Sequence, residues 1–296
     1  LSAPSQASAQ TSALWHLDAG QGTAAADSSS NNNTGTLVNS AWVDGKFWKA
    51  ASFSGSSSYM SVTNTASLNP SQFTLQAWIK PNSVTGTGTI FAKHKTGTSY
   101  CVEYILYLNG ANLGMFLQNG SGSSPYAAGA TAIPTGVWTH VVGTYDGSTI
   151  KVYVNGAFDG SASYGTGVSA GSGNLYLADS VASGCAGAAA FAGAIDEPRM
   201  LNFAQNAGEV LADYQSQRAG LTSSLKFTTN AGQSWQAIYS TYAATSGTPY
   251  VSLTGTDGTT AAQSLKATGL NLAISTNTQT CGGVSPTRTA SSPERM

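Results

Sequence analysis

Apolar and polar residues alternate along most of this 296-residue chain, and that period of two limits its fold more than any other feature. Thr74-Leu75-Gln76-Ala77-Trp78-Ile79, Trp138 to Tyr145 and Ile150 to Val154 all carry it, and each reads as a half-buried strand. Between such segments stand Asp44-Gly45, Asp146-Gly147, Asn155-Gly156, Asp159-Gly160 and Asp257-Gly258, whose second residue tolerates positive φ and so closes hairpins. Many short strands with frequent turns predict an all-β chain, an antiparallel jelly-roll β-sandwich. One helix is expected, over Asn206 to Gln215, where Val210, Leu211 and Tyr214 recur at helical spacing. Ser216 to Gly220 reads as a linker, and beyond it a small second β domain is expected, with strands at Leu225 to Thr228, Trp235 to Tyr242, Tyr250 to Leu253 and Leu270 to Ile274. The expected organisation is an extension over 1–12, the sandwich over 13–217, the small β domain over 218–280 and a Ser, Thr and Pro-rich tail over 281–296.

Composition narrows the function. Charged residues are 8% of the chain against a usual ~25%. Twelve Lys plus Arg against 13 Asp plus Glu leave a net charge of −1, with the cations scattered singly, which argues against a nucleic-acid partner. No apolar run approaches the roughly 18 residues of a membrane span. A small, polar Leu1 to Thr11 resembles a mature end after signal-peptide removal, so a secreted or cell-surface protein, of bacterial type, is expected. Cys101, Cys185 and Cys281 are too widely spaced for a zinc knuckle. The expected pairing is Cys101 with Cys185, brought together by neighbouring strands or loops, with Cys281 left over.

Residues 13 to 215 resemble the LamG-like jelly rolls of the concanavalin A-like lectin and glucanase superfamily. The resemblance runs through Leu14 to Asp18, Asp27 to Leu37, Phe53-Ser54-Gly55, Tyr59 to Val62, Phe73 to Pro81, Gly136 to Val142, Tyr145-Asp146-Gly147, Val152 to Gly156 and Phe191 to Met200. It implies two stacked antiparallel sheets but no single activity, because one fold hosts many functions. It also implies a structural calcium, held by a loop like Asp27 to Gly35 together with the Asp of the closing strand, here Asp196. The candidate ligands are Asp27, Asn32, Gly35 and Asp196, hard oxygen donors of the kind calcium selects. The competing reading of the same loop is an Asx turn, in which Asp27 caps backbone N–H groups. Pro198 interrupts the apolar pattern of the closing strand, which puts its local pairing in question.

Catalytic signatures are sparse. A glycosidase needs two carboxyl groups flanking one bond. The chain has four Glu, at 103, 197, 209 and 294, and lacks the Glu-x-Asp-x-x-Glu strand of the glucanase branch. Asp196 and Glu197 are adjacent, so on a regular strand they point to opposite faces. His16 and His140 lie in strand patterns and read as packed, hydrogen-bonded residues. Aromatic residues in turns are the remaining resource, since sugar C–H faces stack on flat rings. The candidates are Trp42, Trp48, Tyr100, Tyr126 and Tyr164, while Trp15, Trp78 and Trp138 read as core. Thr228 to Trp235 resembles a single Asp-box hairpin with Asn230 in place of Asp, and one copy reads as an ordinary hairpin. The expected function is a noncatalytic carbohydrate-binding or adhesive module for a glycan or cell-surface polysaccharide. A subunit of an extracellular filament, pilus-like or sheath assembly that packs against copies of itself, and an accessory module of a larger glycosidase, are the alternatives.

Overall fold

The structure is a computed structural model that describes residues 11–95, 102–118, 126–168, 171–179 and 189–218, together with the strands 225–228, 234–238, 250–255 and 260–264. The chain divides into two compact units, residues 1–214 and 215–296. Strands of the first unit open with β1 (Thr11–Leu14), β2 (Ala24–Ala25), β3 (Gly35–Val38), β4 (Ala41–Asp44), β5 (Lys49–Ser54) and β6 (Tyr59–Val62). Next come β7 (Phe73–Pro81), β8 (Thr87–His94), β9 (Val102–Asn109), β10 (Asn112–Leu117) and β11 (Tyr126–Ala132). The unit closes with β12 (Thr139–Tyr145), β13 (Thr149–Val154), β14 (Ala157–Ser163), β15 (Leu175–Leu177), β16 (Ala192–Leu201) and the helix α1 (Ala207–Arg218).

Two eight-stranded antiparallel sheets form the expected sandwich. Sheet A has the order β14-β13-β12-β7-β16-β5-β4, with β1 also on β16. Sheet B has the order β11-β10-β9-β8-β15-β6-β3-β2. The first and last strands of the unit pair, Leu14 with Arg199. Pro198 acts as its sequence implies: the register of β16 shifts between Asp196 and Arg199, and its carbonyl instead accepts the Trp15 N–H at 3.0 Å. Between the sheets lies one continuous core, in which Phe73 of sheet A meets Tyr104 of sheet B with ring centroids 4.6 Å apart. Burying each such ring is worth about 2–3 kcal/mol. Trp15 belongs to this core and donates through Nε1 to the Asn33 carbonyl at 2.8 Å, whereas Trp138 is only half-buried.

At each lateral margin the two sheets are tied by a side chain. Asp159 of β14 accepts the Thr131 N–H of β11 at 3.0 Å, and Trp42 of β4 donates to the Gly22 carbonyl, just before β2, at 2.9 Å. Asp159-Gly160, read from sequence as a turn, is therefore inside a strand, and the hairpin before it closes at Asn155-Gly156, both with positive φ.

The helix starts in a capping box. Asn206 Oδ1 accepts the N–H of Gly208 and of Glu209, and Glu209 Oε2 accepts the Asn206 N–H at 2.8 Å. It runs to Arg218, three residues into the segment read as a linker. Val210 packs on Val142 and Tyr153, so the helix occupies the outer face of sheet A. Among the described residues no helix lies on the outward face of sheet B. The second unit is an antiparallel meander of β17 (Leu225–Thr228), β18 (Ser234–Ile238), β19 (Tyr250–Gly255) and β20 (Thr260–Ser264). Thr228 pairs with Ser234, so the Asp-box-like stretch spans a hairpin. The strand expected at Leu270 to Ile274 lies outside the described residues.

Candidate functional site

Sheet B turns one row of residues outward at a single level. Ser61 pairs with Tyr176, Tyr176 with Ala92, Ala92 with Ile105, Ile105 with Phe116 and Phe116 with Tyr126. The neighbours along each strand, such as Met115 and Leu117 or Leu175 and Leu177, point into the core, so period-2 geometry places the row on the outer face. Its centre is covered: Ala92, Ile105 and the adjacent Val102 and Tyr107 are buried as a separate small cluster. Its flanks carry the rings. On one side Tyr126 is 52% exposed beside half-buried Phe116. On the other Tyr59 meets Tyr176 edge-on at 5.8 Å, and Tyr176 meets His94 at 4.5 Å. Four strand spacings separate Tyr126 from Tyr176, about 19 Å. His94 donates through Nε2 to the buried carboxylate of Asp179, which fixes the ring against Tyr176. The flanks thus combine flat rings with polar groups, the two features that a sugar requires.

Sequence reading found Tyr126 but missed Tyr59, Phe116 and Tyr176. Phe116 and Tyr176 stand inside the apolar runs Met115-Phe116-Leu117 and Leu175-Tyr176-Leu177, where period alone does not assign the face, and Tyr59 stands beside Met60 after three serines. Of the other aromatic candidates, Trp42 is half-buried against the core. Tyr164 corrects the expectation of an exposed loop ring: it is 3% exposed, part of the main core, and its carbonyl accepts the Tyr145 hydroxyl at 3.0 Å. Tyr100, Cys101 and Cys185 lie outside the described residues.

Trp48 does reach the surface, 48% exposed, at the turn between β4 and β5. Its φ is +41°, a left-handed conformation that costs a bulky residue on the order of 1 kcal/mol. Leu17 and Glu197, also left-handed, lie nearby in the chain network, as Glu197 accepts from His16 Nδ1 at 2.8 Å and Asp18 accepts the Lys49 N–H at 3.1 Å. That hydrogen bond to Glu197 raises the pKa of exposed His16. Replacing Trp48 by Gly should remove the strain and raise the unfolding free energy by about 1 kcal/mol. An unchanged or lowered melting temperature would show that ring contacts outweigh it.

The calcium candidates divide into two separate networks. Asp27 Oδ1 accepts the N–H of Leu14 and Ser29, and Oδ2 accepts the Ser29 hydroxyl and the Asn33 N–H, at 2.7–3.0 Å. Asn32 is exposed with φ +55°, and Gly35 opens β3, where a Cβ would stand 2.7 Å from Met60 Sδ. Asp196 is buried beneath the turn after β4 and accepts the N–H of Phe47 and of Glu197. A Cβ at Gly45 would stand 2.7 Å from its Oδ2, so glycine is needed for the turn to close over it. Burial pushes the Asp196 carboxyl up to about 8. Among the described residues no three His, Cys, Asp or Glu side chains are grouped to hold a metal. Four N–H and O–H donors fill the Asp27 oxygens, so this donor set fits a loop cap and not a calcium ligand.

The other histidine of interest, His140, is buried with both ring nitrogens lacking a partner among the described residues, between Trp78 and Tyr214. It is thus packed as expected but not hydrogen-bonded through its ring.

The fold and this face define a jelly roll of the lectin type. Residues 54–211 match the family model Laminin_G_3 of the concanavalin A-like lectin/glucanases superfamily, and the chain belongs to that family. No curated protein matches the chain. Among solved structures it is similar to domain 4 of AbnA, a GH43 extracellular arabinanase from Geobacillus stearothermophilus, solved with arabinotriose. That likeness has a TM-score of 0.51 and 23% identity, over 69% of this chain and 98% of that one. The binding domain of Paraclostridial Mosquitocidal Protein 1 gives a TM-score of 0.57 at 14% identity, over 82% of this chain and 70% of that one. The binding domain of botulinum neurotoxin DC, in complex with SialylT, gives 0.57 at 11%, over 90% and 77%. At these identities the likenesses show the fold.

Proposed function

We propose that this protein is a noncatalytic, extracellular carbohydrate-binding module that holds glycan on the outward face of sheet B. The observation that carries the reading is the placement of Tyr126 and Phe116 at one flank and Tyr59 and Tyr176 at the other, on the outward face of sheet B, while α1 packs on sheet A. Membership of a lectin-type family and the arabinotriose bound to the similar arabinanase domain support it. The carboxylates also support a noncatalytic role: Asp196 is closed over by a turn and Glu197 is occupied by His16, so neither is presented to a bond. Because the similar arabinanase structure is one domain of an enzyme, attachment to a larger glycosidase is the second reading.

A glycan array on the purified chain, followed by titration of the best ligand, tests the proposal. Tyr126→Ala and Tyr176→Ala should each weaken binding about tenfold, as truncation of an aromatic anchor costs on the order of 1–2 kcal/mol. Binding that survives the double variant would move the site elsewhere, and release of reducing ends from any glycan would overturn the noncatalytic reading. The Cys101–Cys185 bond belongs to the same proposal: Val102 pairs with His94, whose ring bonds Asp179, so the described neighbours of both cysteines meet at this face. Peptide mapping without reductant should recover that pair, and Cys281 bridged to either residue would refute it.

A further inference from the structure

Beneath the Tyr176 flank lies a buried polar cluster that sugar binding does not use. Lys93 of β8 and Glu103 of β9 are both fully buried, next to a register shift between Lys93 and His94. Ordinary alternation turns Lys93 inward and His94 outward, and the shift, which pairs His94 with Val102, leaves Glu103 as the extra residue of β9. Lys93 Nζ donates to Asn64 Oδ1 at 2.8 Å and also to the Gly173 carbonyl. The same Oδ1 accepts a second hydrogen bond, from Asn69 Nδ2 at 2.9 Å. Asn64 Nδ2 donates to the Gly171 carbonyl at 3.3 Å. Against the same Gly171 lies Glu103, whose two carboxylate oxygens have no hydrogen-bond partner among the described residues. A Cβ on residue 171 would fall 1.1 Å from Glu103 Oε1, so only glycine leaves room for the carboxyl there.

An amine in contact with a carboxamide, a donor on the carboxamide oxygen and an unpartnered carboxyl beside the amide nitrogen make a reactive set. We propose that Lys93 and Asn64 join in an intramolecular isopeptide bond, with Glu103 carrying the proton. In the buried cluster an ammonium and a carboxylate both lack solvation, and the proton passes from Lys93 to Glu103, leaving a neutral amine and a carboxylic acid. Burial moves both groups that way: it lowers the Lys93 pKa and raises that of Glu103 to about 7. The Nζ lone pair forms the new bond to Cγ of Asn64, and charge gathers on Oδ1, where Asn69 Nδ2 already donates. The Cγ–Nδ2 bond then breaks. Glu103 gives its proton to Nδ2, which leaves as ammonia, and the carboxylate so formed takes up the proton that Nζ loses. One amine and one carboxamide become one secondary amide and one ammonia, with no oxidant, metal or cofactor. Contact at hydrogen-bond distance in a fixed pocket supplies the effective concentration that such a slow reaction needs. The product ties the end of β6 to β8 across β15.

The test is the mass of the reduced, full-length chain under denaturing conditions, with tandem mass spectrometry of its peptides. The folded wild type should be one ammonia lighter than its sequence and should yield a branched peptide joining residues 64 and 93. Lys93→Met and Asn64→Ala should lose that peptide. Glu103→Gln, in which the acid is gone and the size kept, should stay uncrosslinked while folded, and Glu103→Asp should regain the crosslink slowly, with a rate that depends on pH around neutrality. An ammonia lost at an Asn-Gly pair such as Asn109-Gly110 would leave Lys93 in a linear peptide. Recovery of Lys93 and Asn64 in separate, unmodified peptides from folded wild type overturns the proposal, whatever the variants do.

Discussion

An Asp27→Ala variant is expected to lose about 3 kcal/mol of stability, and to lose it equally in calcium and in chelator. The carboxylate gathers three backbone N–H groups and one hydroxyl, from Leu14 in β1 to Asn33 at the entry to β3. Removing it leaves those donors without an acceptor and frees β1 from the loop that holds it. For a unit of this size the loss corresponds to a fall in melting temperature of roughly 6–12 °C. Thermal melts of wild type and variant, each with added calcium and with chelator, decide between cap and metal clasp. A wild-type melting temperature that rises with calcium, matched by no rise in the variant, would restore Asp27 as a ligand.

Stability should also fall by about 2–3 kcal/mol as pH rises from 6.5 to 8.5. Burial raises the folded pKa of Asp196 from 3.8 to about 8 and that of Glu103 from 4.5 to about 7. Across this window the folded chain releases protons that the unfolded chain has already lost, so each step up in pH favours unfolding. Lys46, whose pKa burial lowers, opposes the trend only above its folded value. His140 acts in the opposite sense below 6.5: burial lowers it to about 4, the folded ring stays neutral, and acid favours the unfolded chain. Denaturant titrations at a series of pH values measure the slope, which Asp196→Asn should flatten above pH 7. A wild type whose stability is constant or rising from pH 6.5 to 8.5 would show that these carboxyls ionise freely in the fold.

Much of the architecture was legible because period and turn chemistry act locally. The strands at Phe73–Pro81, Thr139–Tyr145 and Thr149–Val154 follow their alternation, and the pairing of first and last strands follows from jelly-roll topology. The candidate site was less legible, since it is made by register. Tyr176, Phe116 and Tyr126 come from three strands up to 60 positions apart and meet at one level only because four pairings align them. Tyr164 shows the converse: a loop tyrosine after the last hairpin folds back into the core, which composition could not tell. Lys93, Asn64 and Glu103 carry no motif at all, and strand pairing through β15 brings Asn64 to Lys93.

The bonds at the two sandwich margins, Asp159 to Thr131 and Trp42 to Gly22, bear on how copies of this chain could assemble. A bare outer strand recruits a neighbour through its unpaired backbone groups, which is how fibres grow by strand addition. Here the outer strands of one sheet are engaged by side chains at the other, so the first unit offers poor templates for that kind of growth. A polymer built from this unit would instead be held by contacts between faces, and detergent or a competing sugar would take it apart where a cross-β fibre would persist.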